Sequence, residues 1–528
     1  MGPDPTAAIH RALAAGDLPT AARLAEAALA AGLRAPMFHN LAAWAREEAG
    51  DLAGAYRLLQ DGLRLAPHDP LLLTGLGAVL RKEHCLAEAL QVLDRVVAVL
   101  PGGSAGWLER GYVFEELGEA ARADADFARA VRIDPACAPA HAGRATLAAR
   151  AGDTSAVRDH AARALALDPG NVAAELALSQ SDGESGAAEA ACARLDRLLA
   201  RDGLAPLDRI HALGLRGAAL DRLDRVEEAF DAFAAAKRAY ARHHAPHGRP
   251  PHREWIDQLR RRFYAATPEC WPRLRGEPGC SPHLFLLGYP RSGTTLLENI
   301  LAGVPGVQAA EERPLLAEAD RAFLLAPDGM ERLGALDEAA AAPFRAAYRA
   351  AAQAAGATAG EPFLDMDPLK SLRLPLIARL FPDARILLMR RDPRDVVWSC
   401  FRQNIRPNPA NYAHADLVQG ARHYAATMAF VAEARARLPL TVEEVDYRAL
   451  VRDFDRTTQA LCRFAGLPWS EALRRFDRVA AARGVTTASA TQLRAGLFDG
   501  SGQWRRYARQ LAPVLPILQP WVERFGFE

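Results

Sequence analysis

The sequence predicts a two-part α+β chain: an α-helical solenoid over residues 1–244, a linker with one helical segment over 245–282, and an α/β domain with a parallel central sheet over 283–528. Three observations carry this. Residues of one kind return every 34 positions through the first part, prolines punctuate the stretch that follows, and short apolar runs then alternate with helical patterns.

Bulk properties narrow the function classes. At 528 residues, half of them apolar, the chain has material for two or three cores. A formal net charge of +1 offers no global attraction to nucleic acid or to a membrane surface. No apolar run approaches the roughly 20 residues that span a bilayer, and the start MGPDPTAAIHRALAAGD lacks the basic and apolar regions of a secretory leader. Met1-Gly2 with Thr6 formally fits a myristoylation pattern, which Pro3 and Pro5 oppose. Cys85, Cys137, Cys192, Cys270, Cys280, Cys400 and Cys462 show no C-x-x-C spacing, so reduced packing thiols, no zinc site and a cytoplasmic location are expected.

In the first part a small or turn residue, then a polar one, then alanine five places on recur from Gly16 through Gly50, His84, Gly118, Gly152 and Gly186. Ala21, Ala55, Ala89, Ala123 and Ala191 are those alanines, and Pro67, Pro101, Pro135 and Pro169 keep the same 34-residue step. This is the pattern of tetratricopeptide repeats (TPR): two antiparallel helices per unit, a small residue where they pack closely, and proline ending the second. A longer step of 38 reaches Asp224 and Ala229, giving about seven repeats as far as His244. Such units stack into a superhelix whose concave groove suits an extended peptide or protein, although a scaffold or homo-oligomer face stays open.

The linker carries Pro246, Pro250, Pro251, Pro268, Pro272 and Pro278 around a basic helical stretch, Trp255 to Phe263. Arg260, Arg261 and Arg262 on it form a solvated helix face or an anion patch.

The last part opens with LFLLGYPRSGTTL, Leu284 to Leu296. Leu284 to Leu287 is a buried parallel strand, Gly288, Pro290 and Gly293 break it, and a helix begins at Thr294. Amides at a helix start lack intrahelical partners and the dipole there favours negative charge, so the loop is a phosphate or sulfate cradle. Its spacing is P-loop-like, Gly288-x4-Gly293-Thr294-Thr295, but Thr294 stands where an ATPase loop has lysine. The cation lies inside the loop instead, at Arg291, able to fork onto an anion.

Strand and helix then alternate: Phe363 to Asp365, helix Leu374 to Leu380, strand Arg385 to Met389, helix Pro393 to Gln403. Asp392 caps that last helix with Pro393 at its first position, and Asp392, Val396 and Ser399 share a face. The binding crevice is expected at the carboxyl ends of the strands.

These residues carry a resemblance. Pro290-Arg291-Ser292-Gly293-Thr294-Thr295 resembles the 5′-phosphosulfate loop of sulfotransferases, and Arg391 with Ser399 eight residues later resembles their 3′-phosphate site. The arginine in the loop is most similar to the tyrosylprotein sulfotransferases and to bacterial-type repeat-containing relatives. The resemblance implies 3′-phosphoadenosine 5′-phosphosulfate (PAPS) as co-substrate without a metal. It implies Arg291, Ser292, Gly293, Thr294, Thr295, Leu296, Arg391, Ser399, Tyr447 and Ser489 as nucleotide-binding residues, and an α/β P-loop-like sulfotransferase domain after the TPR solenoid.

Glu312, in VQAAEERPLL, falls where the tyrosylprotein enzymes have a general-base glutamate, with Glu311 as its competitor. A phenol, with a pKa of about 10, needs such a base. Three departures mark this chain: Met366 replaces a lysine of the family pattern Asp-Lys-x-Pro, Gln403 replaces an arginine beside Arg402, and Gln503 replaces the lysine before Trp504. Lys370 is the candidate for the first loss, and Arg505 or Arg506 for the last. Ser489 to Leu493 resembles the segment covering the cofactor, and Ser501 to Tyr507 the closing tryptophan segment.

The expected function is sulfuryl transfer by Glu312, Arg291 and Lys370 to a hydroxyl, first of all a tyrosine presented by the TPR groove. Carbohydrate, lipid or small-molecule hydroxyls remain alternatives, as does a TPR scaffold that senses nucleotide without turnover.

Overall fold

The computed structural model describes residues 5–245, 251–266, 271, 274–275, 283–358, 360–403, 408–483 and 496–527. Ser489 and the 489–493 segment, Cys270, Cys280, and all the linker prolines except Pro251 lie outside the described residues. The chain forms two compact units, Met1–Arg194 and Leu195–Glu528.

The first unit is a run of antiparallel helix pairs, such as Pro36–Glu48 with Leu52–Leu65 and Pro70–Lys82 with Leu86–Val99. The 34-residue period has a backbone cause. Gly16, Gly50, Gly118, Gly152 and Gly186 all have φ between 73° and 92°, and His84 at φ 60° takes the same left-handed turn, a conformation glycine adopts without steric cost. After three of these turns an aspartate, Asp17, Asp51 or Asp153, caps the next helix, as when Asp51 accepts from the Gly54 amide at 2.8 Å. Ala21, Ala55, Ala89, Ala123 and Ala191 are fully buried, because helices meet there too closely for a larger side chain.

In the second unit one further helix pair, Pro206–Arg222 and Val226–His243, precedes the linker helix His252–Ala266 and the sheet. Five parallel strands follow: β1 (Leu284–Leu287), β2 (Gln308–Glu311), β3 (Phe363–Met366), β4 (Arg385–Arg390) and β5 (Thr441–Asp446). Their order is β2-β3-β1-β4-β5, with Leu284 beside Leu364 on one side and Arg385 on the other. β1 is buried at every position because helices cover both faces. Leu284, Leu286, Met366, Leu387 and Met389 pack with Leu297, Ile300 and Leu461 on one face. Phe285, Tyr348 and Phe381 form an aromatic cluster on the other. All strand carboxyl ends emerge on the same edge, which is where the polar residues collect.

Candidate functional site

Across the sheet, the residues that follow the five strands are, in spatial order, Glu312 after β2, Lys370 after β3, the 288–293 loop after β1, Arg391 after β4 and Tyr447 after β5. Adjacent strands lie about 4.8 Å apart. The crevice is therefore a row of loops at one sheet edge.

The β1 loop is held tightly. Gly288 has no room for a side chain, since a Cβ would lie 2.7 Å from Ser292 Oγ and 3.1 Å from the Met389 carbonyl. Gly293, at φ 107°, caps helix Thr294–Leu301, and a Cβ on it would strike the Tyr447 ring at 2.8 Å. The first helical bond is Leu297 N–H to the Gly293 carbonyl at 3.1 Å, so the amides of Thr294, Thr295 and Leu296 precede it and face the loop mouth. Ser292, Thr294 and Thr295 are buried around them. Arg291 is a non-glycine residue at φ 69°, a strained geometry typical of functional loops. Burial lowers its guanidinium pKa to about 10, and the positive charges of Arg402 and Arg391 add to that.

The two expected anion sites adjoin directly. Arg291 Nε donates to Ser399 Oγ at 3.0 Å, and Arg391 Nη1 donates to the Arg291 carbonyl at 3.1 Å. Ser399 lies two turns into helix Pro393–Arg402, which Asp392 caps through the Arg394 amide at 2.9 Å. Arg391 lies over the Tyr447 ring, 4.6 Å to its centroid, and its Nη2 donates to the Gly500 carbonyl at 2.5 Å. Tyr447 in turn donates to the Phe498 carbonyl at 2.9 Å. Segment 498–504 is thus fastened over the site, with Asp395 accepting from the amides of Gly502 at 2.7 Å and Trp504 at 2.9 Å. Among the described residues, Arg391 Nε, Arg402 Nε and Trp504 Nε1 are buried without a hydrogen-bond partner. Such a donor set fits a phosphate- or sulfate-bearing ligand.

Glu312 has φ 49° and is tied by its amide to the Met366 carbonyl at 2.7 Å. Its side chain keeps access to solvent. The surrounding protein, then the negative charges of Asp367 and Glu311, nevertheless push its pKa up to about 7, while Lys370 pulls the other way. Lys370 is 2 % exposed and forms an ion pair with Asp365, which also accepts from Tyr348 at 3.2 Å; its Nζ donates to the Arg313 carbonyl at 3.2 Å as well. Met366 belongs to the apolar core. Arg506 is engaged with Asp221 and Asp224, and Gln503 accepts from Arg402 Nη2 at 2.7 Å. Arg402 thus brings a cation to Gln503, and Arg505 lies over the Trp504 ring, 5.3 Å to its centroid.

Several site neighbours have no sequence signal. The Tyr289 hydroxyl sits between His414 Nε2 at 3.1 Å and His423 Nδ1 at 2.6 Å, and His252 Nδ1 meets His423 Nε2 at 2.8 Å. Burial first of all lowers all three imidazole pKa values, His414 to about 3 and His252 to about 4, and so keeps them neutral. This chain anchors the loop to the linker helix through residues far apart in sequence, and within Gly-x4-Gly the tyrosine is simply an x. Lys237, buried on helix Val226–His243, donates to the Gln403 carbonyl at 2.6 Å.

Residues 282–471 match the model of the Sulfotransferase family. The C-terminal half carries a sulfotransferase-family domain. An uncharacterized protein of Aquifex aeolicus (strain VF5) is 30% identical over 281 residues, covering 51% of this chain and 36% of its own. Protein-tyrosine sulfotransferase 1 of Danio rerio is 28% identical over 199 residues, covering 36% of this chain and 55% of its own. The chain thus spans about a third and about half of these relatives. Over the helical region, a thermophilic TPR protein of Thermus thermophilus aligns with a TM-score of 0.32 at 20% identity, covering 34% of this chain and 98% of that one. Among the described residues no helix is long and apolar enough to cross a membrane, and no group of three or more His, Cys, Asp or Glu is placed to hold a metal ion.

Proposed function

We propose that this chain is a PAPS-dependent sulfotransferase that moves a sulfuryl group to a hydroxyl, with a tyrosine of a peptide or protein as its acceptor and the TPR groove as the acceptor's docking surface. The observation that carries the proposal is the row of residues at the strand ends, a base-bearing loop at one end and two joined anion sites at the other. Protein-tyrosine sulfotransferase 1 among the relatives supports the choice of tyrosine.

PAPS would supply a sulfuryl group bonded to a phosphate that leaves readily. The amides of Thr294, Thr295 and Leu296, with Arg291, Ser292 and Gly293, would hold its 5′ end, and Arg391 with Ser399 its 3′-phosphate. Tyr447 props both sites through its contacts with Gly293 and Arg391. Glu312 takes the acceptor's proton. Its pKa, raised to about 7, makes it a stronger base than an ordinary carboxylate while leaving about half of it ionised at neutral pH. Lys370 contributes fixed positive charge beside Glu312, and Arg291 offsets negative charge that develops on the leaving group.

The test is transfer of labelled sulfate from PAPS to tyrosine peptides, sugars and lipid hydroxyls, in wild type and Glu312→Gln. Transfer to tyrosine that collapses in the variant supports the reading. Transfer only to another hydroxyl overturns the acceptor, and full activity in the variant removes Glu312 as base. The competing scaffold reading draws on Lys370 being tied to Asp365, and nucleotide binding without transfer to any acceptor class would favour it.

A further inference from the structure

We propose that Asp221, at the end of helix Pro206–Arg222, is a positioning residue for the nucleotide's second phosphate site, holding Arg402 and the 503–507 turn against Arg391. The inference rests on the reading of Arg391 and Ser399 as a phosphate site.

Asp221 is the common partner of three side chains from the other side of the second unit. Its carboxylate accepts from the Tyr507 hydroxyl at 2.6 Å and from Arg506 Nη1 at 2.8 Å, and its other oxygen lies 3.7 Å from Arg402 Nη1. The Asp221 carbonyl takes Arg506 Nη2 as well, at 2.9 Å. One residue thus fixes both ends of a short structure. Arg402 reaches across to Gln503, and the turn containing Gln503 continues through Tyr507 back to Asp221.

That structure lies against the phosphate site. The same segment gives the Gly500 carbonyl to Arg391 and the Gly502 and Trp504 amides to Asp395, on the helix that carries Ser399. Arg402 feels the charge of Arg391, which disfavours placing the two guanidinium groups together without an anion. Asp221 and Gln503 hold Arg402 there nonetheless, and its Nε stays buried without a partner among the described residues. Such an arrangement has donor capacity in reserve for a doubly charged phosphate.

The helix pair 206–243 grips the same helix by packing. Phe230 stacks on Trp398 and Phe401 at 6.0 and 5.8 Å, and Phe233 meets Trp398 edge-on at 5.8 Å. Trp398 lies 4.0 Å from Tyr507 between ring centroids. Gln503 is one of the three departures from the sulfotransferase pattern, and its bond to Arg402 brings a cation to that turn from the helix, where Asp221 can hold it.

Intrinsic tryptophan fluorescence titrations of the full chain with 3′,5′-adenosine bisphosphate and with AMP give the test. Asp221→Asn is expected to weaken bisphosphate binding about tenfold while AMP binding changes less than threefold, because only the second phosphate depends on Arg402. Gln503→Ala, which frees Arg402 from its other side, is expected to act in the same direction and serves if Asp221→Asn does not fold. Glu227→Gln, removing the rim pair with Arg509, is expected to leave the ratio unchanged. An unaltered bisphosphate-to-AMP ratio in both Asp221→Asn and Gln503→Ala overturns the inference. If wild type itself shows no preference for the bisphosphate, the phosphate-site reading fails first, and the two failures are thereby separated.

Discussion

Among single residues, Glu312 has to be ionised when it acts. With its pKa pushed up to about 7, kcat/KM is expected to rise about tenfold per unit as pH increases below 7 and to level off above it, since only the carboxylate accepts a proton. A pH–rate profile checks this, and Glu312→Gln should lower kcat by about 10² to 10⁴ while leaving bisphosphate affinity intact. Lys370 makes a different prediction. Removing it leaves Asp365 buried without its countercharge, so Lys370→Met should destabilise the second unit by about 3–5 kcal/mol in urea unfolding. Lys370→Met with Asp365→Leu should recover most of that stability, and any loss of transfer that persists is then catalytic. The loop and Arg391 were legible in the sequence as strand-end positions, because local spacing encodes a strand end, a loop and a helix start, whereas Glu312 was reached only through the family resemblance. Asp221, Lys237 and the Tyr289–histidine chain were not, because each depends on residues more than 100 positions apart meeting in the fold.

At the element scale, the repeat turns can be tested by exchanging residues at left-handed positions. Gly50 has open space around it but φ of 78°, so Gly50→Ala should cost about 1 kcal/mol from backbone strain alone. His84 occupies the equivalent turn at φ 60°, and His84→Gly should gain a similar amount, both seen as shifts of the urea midpoint. These turns were readable because strain selects glycine once per period. β2 was not. Its four residues, Gln308–Glu311, form an edge strand with only Ala310 buried, so they lack the apolar run that disclosed β1. The helix Leu417–Arg437 also gave little signal, its apolar residues being spread around its circumference against several partners.

At the scale of the whole molecule, the helix pair 206–243 continues the repeat pattern in sequence yet belongs to the compact unit that contains the sheet. Sequence periodicity reports how a helix pair folds locally, not which core its outer face joins. A chain beginning at residue 245 exposes Trp398 and Phe401 and removes Asp221 from Arg402, and it is expected to aggregate or to lose bisphosphate binding. A chain beginning at residue 186 keeps those contacts and should bind normally, as measured by gel filtration and titration. The central claim, that two joined anion sites at the strand ends serve a nucleotide phosphorylated at both ends, is tested most directly by calorimetric titration of the full chain with 3′,5′-adenosine bisphosphate against AMP and ATP. Clear preference for the bisphosphate, abolished by Arg391→Ala, is the expected result. Equal affinity for all three, or a preference that survives Arg391→Ala, would contradict it.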